Sequence, residues 1–147
     1  MKRILAIITL SLVIYMAQGQ EITHTGTVEL LSFNGTTALF RVETAAAKKV
    51  DVELFAKETV FEQLFYAGVE GINDDAPLVQ TKKPLKNFSF LTNFFKGKNA
   101  PMSTYIEKTE LLGNIQSKSG EFTAKYAVSV KYKFLYKTME QNKLTTP

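Results

Sequence analysis

FTAKYAVSVKYKFLYK, residues 122–137, alternates apolar and polar side chains almost without a break. Phe122, Ala124, Tyr126, Val128, Val130, Tyr132, Phe134 and Tyr136 share one parity, and Thr123, Lys125, Ser129, Lys131, Lys133 and Lys137 share the other. Only Ala127 and Leu135 interrupt the second set. A period of two is that of a strand with one covered face and one wet face. Sixteen extended residues would reach about 50 Å, well past a usual strand of about 5–6 residues. A bend, bulge or frayed end is therefore expected, with Ala127 or Leu135 as its mark.

Upstream, STYIEKTELLGNIQ carries Tyr105, Leu111 and Ile115 on one parity and ends in Ser117-Lys118-Ser119-Gly120. Together, residues 103–137 read as a long hairpin turning near that tetrapeptide. A second hairpin is read in GTVELLSFNGTTALFRVET, residues 26–44, around Asn34-Gly35, the strongest short turn signal. A two-residue turn there would place Phe33, Leu31, Ala38, Phe40 and Val42 on one face.

Between the hairpins, residues 44–68 repeat apolar side chains at helical spacing. Ala47, Val50, Leu54, Phe61, Leu64 and Phe65 form the stripe, Thr44 the expected N-cap and Gly68 the expected stop. Residues 69–87 read as a loop that changes from acidic (Glu70, Asp74, Asp75) to basic (Lys82, Lys83, Lys86). A short helix over 88–96 follows, with Asn87 as its cap and Phe88, Leu91 and Phe95 on one side. The expected fold is α+β: a four-stranded, mainly antiparallel sheet of two hairpins, with one long and one short helix on one face, in the order ββα(α)ββ. The apolar row of residues 122–137 would cover the long helix, and its lysine row would face water or a partner.

The chain opens MKRILAIITLSLVIYMAQG: two basic residues, an apolar run from Ile4 to Ala17, and Ala17-Gln18-Gly19 before Gln20. That is the layout of a secretory leader over 1–19, and 14 apolar residues are short for a bilayer span. The remaining domain, 20–147, would carry a charge of +2 rather than the +4 of the whole chain, since Lys2 and Arg3 leave with the leader. So small a charge gives no argument for nucleic acid as partner. There is no cysteine, which excludes thiol chemistry, disulfides and lipidation at an N-terminal cysteine.

Few residues invite chemistry. His24, the single histidine, stands near the start of the domain and reads as an exposed strand-edge residue. Glu70, Asn73, Asp74 and Asp75 gather oxygen ligands, but without the register of a calcium loop they read first as a solvated turn. No metal or other cofactor is expected. The lysines of the last strand, Lys125, Lys131 and Lys133 above all, could meet anionic lipid, polysaccharide or nucleic acid. A lysine row also guards a strand edge against association. Tyrosines and lysines of opposite parity cannot build one stacking platform. Lys125, Lys131, Lys133, Asp74 and Asp75 are the candidate binding residues. Phe88, Phe90, Phe94 and Phe95 are candidates to line a small-ligand or lipid pocket.

Leu64-Phe65-Tyr66-Ala67-Gly68-Val69-Glu70-Gly71 followed by Pro77-Leu78 resembles the "LLF-x-G-I-x-G … PL" segment of uncharacterised exported proteins from Bacteroidetes-type bacteria. The element layout is also similar to that of LPP20-type lipoproteins and flagellar-assembly periplasmic domains. The chain departs from those in lacking the lipidated cysteine, and in having Glu43-Thr44 where they often carry a glycine. The resemblance implies an exported envelope protein and brings no catalytic residues. The expectation is a non-enzymatic periplasmic or cell-surface domain that binds another envelope protein, with a lipid or small ligand as the alternative.

Overall fold

A computed structural model describes residues 26–96 and 100–145. The expected leader over 1–19 with its expected cut site, and His24, lie outside the described residues. Four strands, β1 (Gly26–Phe33), β2 (Ala38–Ala46), β3 (Ile106–Lys118) and β4 (Glu121–Val130), form one sheet in the order β1-β2-β4-β3, every neighbour antiparallel. Three α-helices accompany them: α1 (Val52–Glu62), α2 (Ser89–Asn93) and α3 (Tyr132–Gln141). The expected α+β class and the two hairpins are as read from the sequence. The third helix is new.

Both hairpins donate their inner strands to the centre. β2 buries Ala38, Phe40, Val42, Thr44 and Ala46, and β4 buries Ala124, Tyr126, Val128 and Val130. The register pairs Phe40 with Val128 and Val42 with Tyr126, so these residues share one face. α1 crosses that face over β2 and β4 and touches β1. It buries Val52, Ala56, Val60 and Phe61, and Leu64 and Phe65 follow in a π turn (Gln63–Ala67).

Where the chain departs from the sequence reading, one cause recurs: a strand continues while it has a partner and stops when it has none. Val130 pairs with Ala38 on one side and with Ile106 on the other, and each is the first residue of its strand. Beyond Val130 the neighbours offer only single bonds, Lys131 N–H to the Tyr105 carbonyl (2.7 Å) and Lys133 N–H to the Thr36 carbonyl (3.0 Å), so the ladder ends and the chain continues as a helix. Lys131, Lys133 and Lys137 therefore do not extend a strand row; the terminal arm is α3. Its buried stripe is Tyr132, Leu135 and Met139, and Leu135, the break in the alternation, belongs to it. α3 ends in a Schellman turn. Lys143 N–H donates to the Glu140 carbonyl (2.9 Å) and Leu144 N–H to that of Met139 (3.0 Å), with Lys143 left-handed at φ 59°.

The same rule delays the long helix. Thr44, Ala45 and Ala46 stay extended because Ala124, Thr123 and Phe122 pair with them. Thr44 is thus a buried strand residue and not an N-cap. Helix phase then starts later: Val50 is 81% and Leu54 45% exposed, while Val52 and Ala56 turn inward. In the first hairpin the loop has four residues, 34–37. The Asn34 Oδ1 accepts from the N–H groups of Thr36 (2.9 Å) and Thr37 (2.8 Å). A bulge at Leu31 shifts the register, so Val28 and Leu30 join Phe40 and Val42 on the inner face. Leu31 is left exposed, and Phe33 rests against Tyr132 at 5.2 Å between ring centres. Phe88, and not Asn87, stands at the start of α2, and Leu91 and Phe94 point inward rather than Phe88 and Phe95.

Candidate binding surface

Chain return after α1 sets the frame. Gly68 holds φ 84°, and a side chain there would meet the Asp75 carbonyl oxygen at 2.3 Å. The chain turns through Asn73-Asp74-Asp75, all three left-handed, with the Asp75 Oδ1 accepting from Gly71 N–H (2.7 Å). Leu78 and Val79 then donate to the carbonyls of Leu64 (2.8 Å) and Phe65 (3.0 Å), closing the end of the π turn. Asp74 and Asp75 thus shape this return, beside α1 and away from every candidate lysine in the chain.

Residues 76–96 and 100–105 and α3 build a cap on the sheet's inner face. Phe94 is fully buried at its centre, with ring centres of Phe65 at 4.8 Å, Phe95 at 4.9 Å, Phe61 at 5.1 Å and Phe90 at 5.5 Å. Tyr105 stacks between Phe94 (5.8 Å) and Phe134 of α3 (5.1 Å). These rings fill one another's space, so the phenylalanines expected to line a pocket serve as the cap's own core. Backbone bonds tie the cap together: Lys131 N–H to the Tyr105 carbonyl (2.7 Å) and Gln80 N–H to the Leu144 carbonyl (2.7 Å).

The cap is basic throughout. Residues 76–105 contain five lysines and no acid, and residues 131–145 contain four lysines and one glutamate. The rest of the described domain, residues 26–75 and 106–130, holds twelve acids against seven basic residues. The modest net charge is thus the difference between two opposed regions, a signal that whole-chain charge conceals. Lys131, Lys133 and Lys137 are exposed. None makes an ion pair among the described residues; the ion pairs Arg41–Glu29, Lys57–Glu53 and Lys108–Glu110 all lie in the acidic region. Phe134, between Lys133 and Lys137 in α3, is 50% exposed.

Lys131 and Lys133 also occupy an electrostatically poor position. Lys131 precedes α3 and Lys133 is its second residue, with no acid in the first turn and no side-chain cap. The helix dipole places partial positive charge there, even though the Lys131 and Lys133 N–H groups are bonded to the Tyr105 and Thr36 carbonyls, so each lysine costs about 0.3–1 kcal/mol where an acid would gain it.

Lys125 belongs elsewhere. It lies on the sheet's outer face opposite Glu43, in a shallow depression with Thr27, Glu29 and Arg41, where opposite charges balance. Of the five candidate residues, the structure brings Lys131 and Lys133 together and separates Lys125, Asp74 and Asp75 from them. Lys137 and Phe134 lie beside them on α3, and the lysines of residues 82–96 belong to the same cap.

Among the described residues no group of three or more histidine, cysteine, aspartate or glutamate side chains could hold a metal. Burial, with a smaller contribution from Tyr136, pushes the Tyr132 phenol up to about 12, so it stays protonated at ordinary pH. No described helix is long and apolar enough to cross a membrane. Compared with protein-family models, curated proteins and solved structures, the chain matches none.

Proposed function

We propose that this chain is an exported, non-enzymatic domain of the cell envelope that docks through its basic cap onto an anionic envelope component. One observation carries the reading: unpaired lysines are concentrated on an aromatic-cored cap, while the rest of the described domain carries excess acid. Such an asymmetry orients the molecule in the field of a charged surface before contact, so that the cap arrives first. Its position at a helix start, where stability is given up, adds support, since local rules are broken chiefly where function requires it. Export rests on the leader-like residues 1–19, and kinship with uncharacterised exported proteins belongs to the same proposal.

Binding to washed envelope fractions tests it. The protein should bind at low ionic strength and be released as salt rises. The K131Q/K133Q/K137Q variant, altered only at exposed side chains, should bind far less at a melting temperature no lower than that of the wild type. Binding indifferent to both salt and these lysines would refute the proposal.

A further inference from the structure

We infer that the anionic component is a phospholipid bilayer, and that Phe134 enters its interface while Lys131, Lys133 and Lys137 rest among the headgroups. This rests on the docking proposed above and names its partner.

Three observations select lipid. First, the cap's cations are all lysine. The described domain has one arginine, Arg41, and it is paired with Glu29 on the outer face of the sheet. Recognition of a fixed carboxylate or phosphate favours the rigid, two-pronged arginine, and protein interfaces are depleted in lysine. Lysine is a mobile point charge suited to a fluid layer of headgroups. Second, the lysines surround an apolar side chain. Phe134 is half exposed, with Lys133 before it and Lys137 one turn later on α3. An exposed phenylalanine on a lysine-bearing helix face fits the boundary between headgroups and acyl chains, where its ring leaves water and the ammonium groups stay in it. Third, the ring has a firm footing. Phe134 stacks on Tyr105 at 5.1 Å with planes 27° apart, and Tyr105 stacks on the buried Phe94. The cap can therefore press the ring into a surface without unfolding. The positive end of the α3 dipole lies at the same place.

Co-sedimentation with vesicles tests the inference. Wild type and variants are compared within the same full chain, so any contribution from the leader is common to all. Vesicles of equimolar phosphatidylglycerol and phosphatidylcholine should retain the protein, and vesicles of phosphatidylcholine alone should retain much less. High salt should reverse the difference. Each lysine-to-glutamine change should weaken binding about five-fold, and K131Q/K133Q/K137Q about a hundred-fold. Phe134→Ser should weaken it several-fold, while Phe134→Leu, which keeps an apolar side chain on Tyr105, should stay near wild type. Melting temperatures of the variants separate docking from folding. Equal binding to both vesicle types, or undiminished binding by the triple variant, would overturn the inference. Lysine-dependent retention on an acidic polysaccharide such as heparin, with no preference for phosphatidylglycerol vesicles, would also overturn it but leave the broader docking proposal standing.

Discussion

Replacing Lys133 with glutamate should make the protein more stable while impairing its docking. Lys133 is the second residue of α3, exposed and without an ion pair among the described residues. Its own N–H donates to the Thr36 carbonyl (3.0 Å), so the substitution leaves the backbone tie to the first hairpin intact. Removing a cation from the positive end of the helix recovers about 0.3–1 kcal/mol, and placing a carboxylate there adds a similar amount. Exposure to solvent moderates both, so a net gain of about 1 kcal/mol is expected. For a domain of this size that raises the melting temperature by about 3–6 °C. Circular dichroism melts at low ionic strength would read the gain, with Lys133→Gln giving about half. The gain should shrink in high salt, because the effect is electrostatic at an exposed site. A lower melting temperature for Lys133→Glu, or a gain that salt does not touch, would refute the argument that this helix start is kept electrostatically poor for the sake of its contact surface.

Gly68→Ala should be the most damaging small substitution. The new methyl would fall 2.3 Å from a backbone oxygen at a φ that alanine avoids, so a loss of at least about 2 kcal/mol is expected in chemical denaturation. Thr44→Val should instead stabilise by about 1 kcal/mol, because the buried Thr44 hydroxyl has no hydrogen-bond partner and valine has the same shape; an unchanged or lower denaturation midpoint would contradict this. Alkaline unfolding should follow Tyr66 and Tyr132, whose phenol pKa values burial raises above the ordinary 10.0, that of Tyr132 to about 12, so the folded state keeps protons that the unfolded state releases. Stability is complete below pH 10, falls between pH 10 and about pH 12, and by the latter has lost up to about 2 kcal/mol through Tyr132 alone; Tyr132→Phe should remove part of that fall.

The sheet was legible because alternation is a local property. Phe122 to Val130 and Ala38 to Val42 reveal their inner faces without reference to anything distant. The ends of elements were not legible, because they depend on partners. Nothing in the local pattern of Lys131–Lys137 says that Ala38 and Ile106 have both run out opposite Val130. In this segment two periods coexist: Tyr132, Phe134 and Tyr136 fit a strand, while Tyr132, Leu135, Tyr136 and Met139 fit a helix. Length favoured the helix, since sixteen residues exceed an ordinary strand, and Leu135 was the residue that discriminated. The helix start failed in the mirror image of this, with β4 long enough to keep Thr44–Ala46 extended. Lys131 and Lys133 were recognisable as candidates, though on the wrong kind of element. Their partners in the cap were hidden because sequence separates residues 82–96 from 131–137, and it is the ring contacts of Phe94, Tyr105 and Phe134 and the backbone bond from Lys131 to Tyr105 that unite them. The absence of acids from residue 76 to residue 105 was the one sequence signal that pointed to that surface.

Lysine acetylation footprinting, read by mass spectrometry with and without phosphatidylglycerol vesicles, tests the docking surface most directly. Lys131, Lys133 and Lys137 should be protected by the vesicles, while Lys118, at the turn end of the β3–β4 hairpin, and Lys125 of the outer sheet face stay as reactive as in the free protein. Protection of Lys125 and Lys118 with α3 left reactive would place the contact away from α3 and contradict the account.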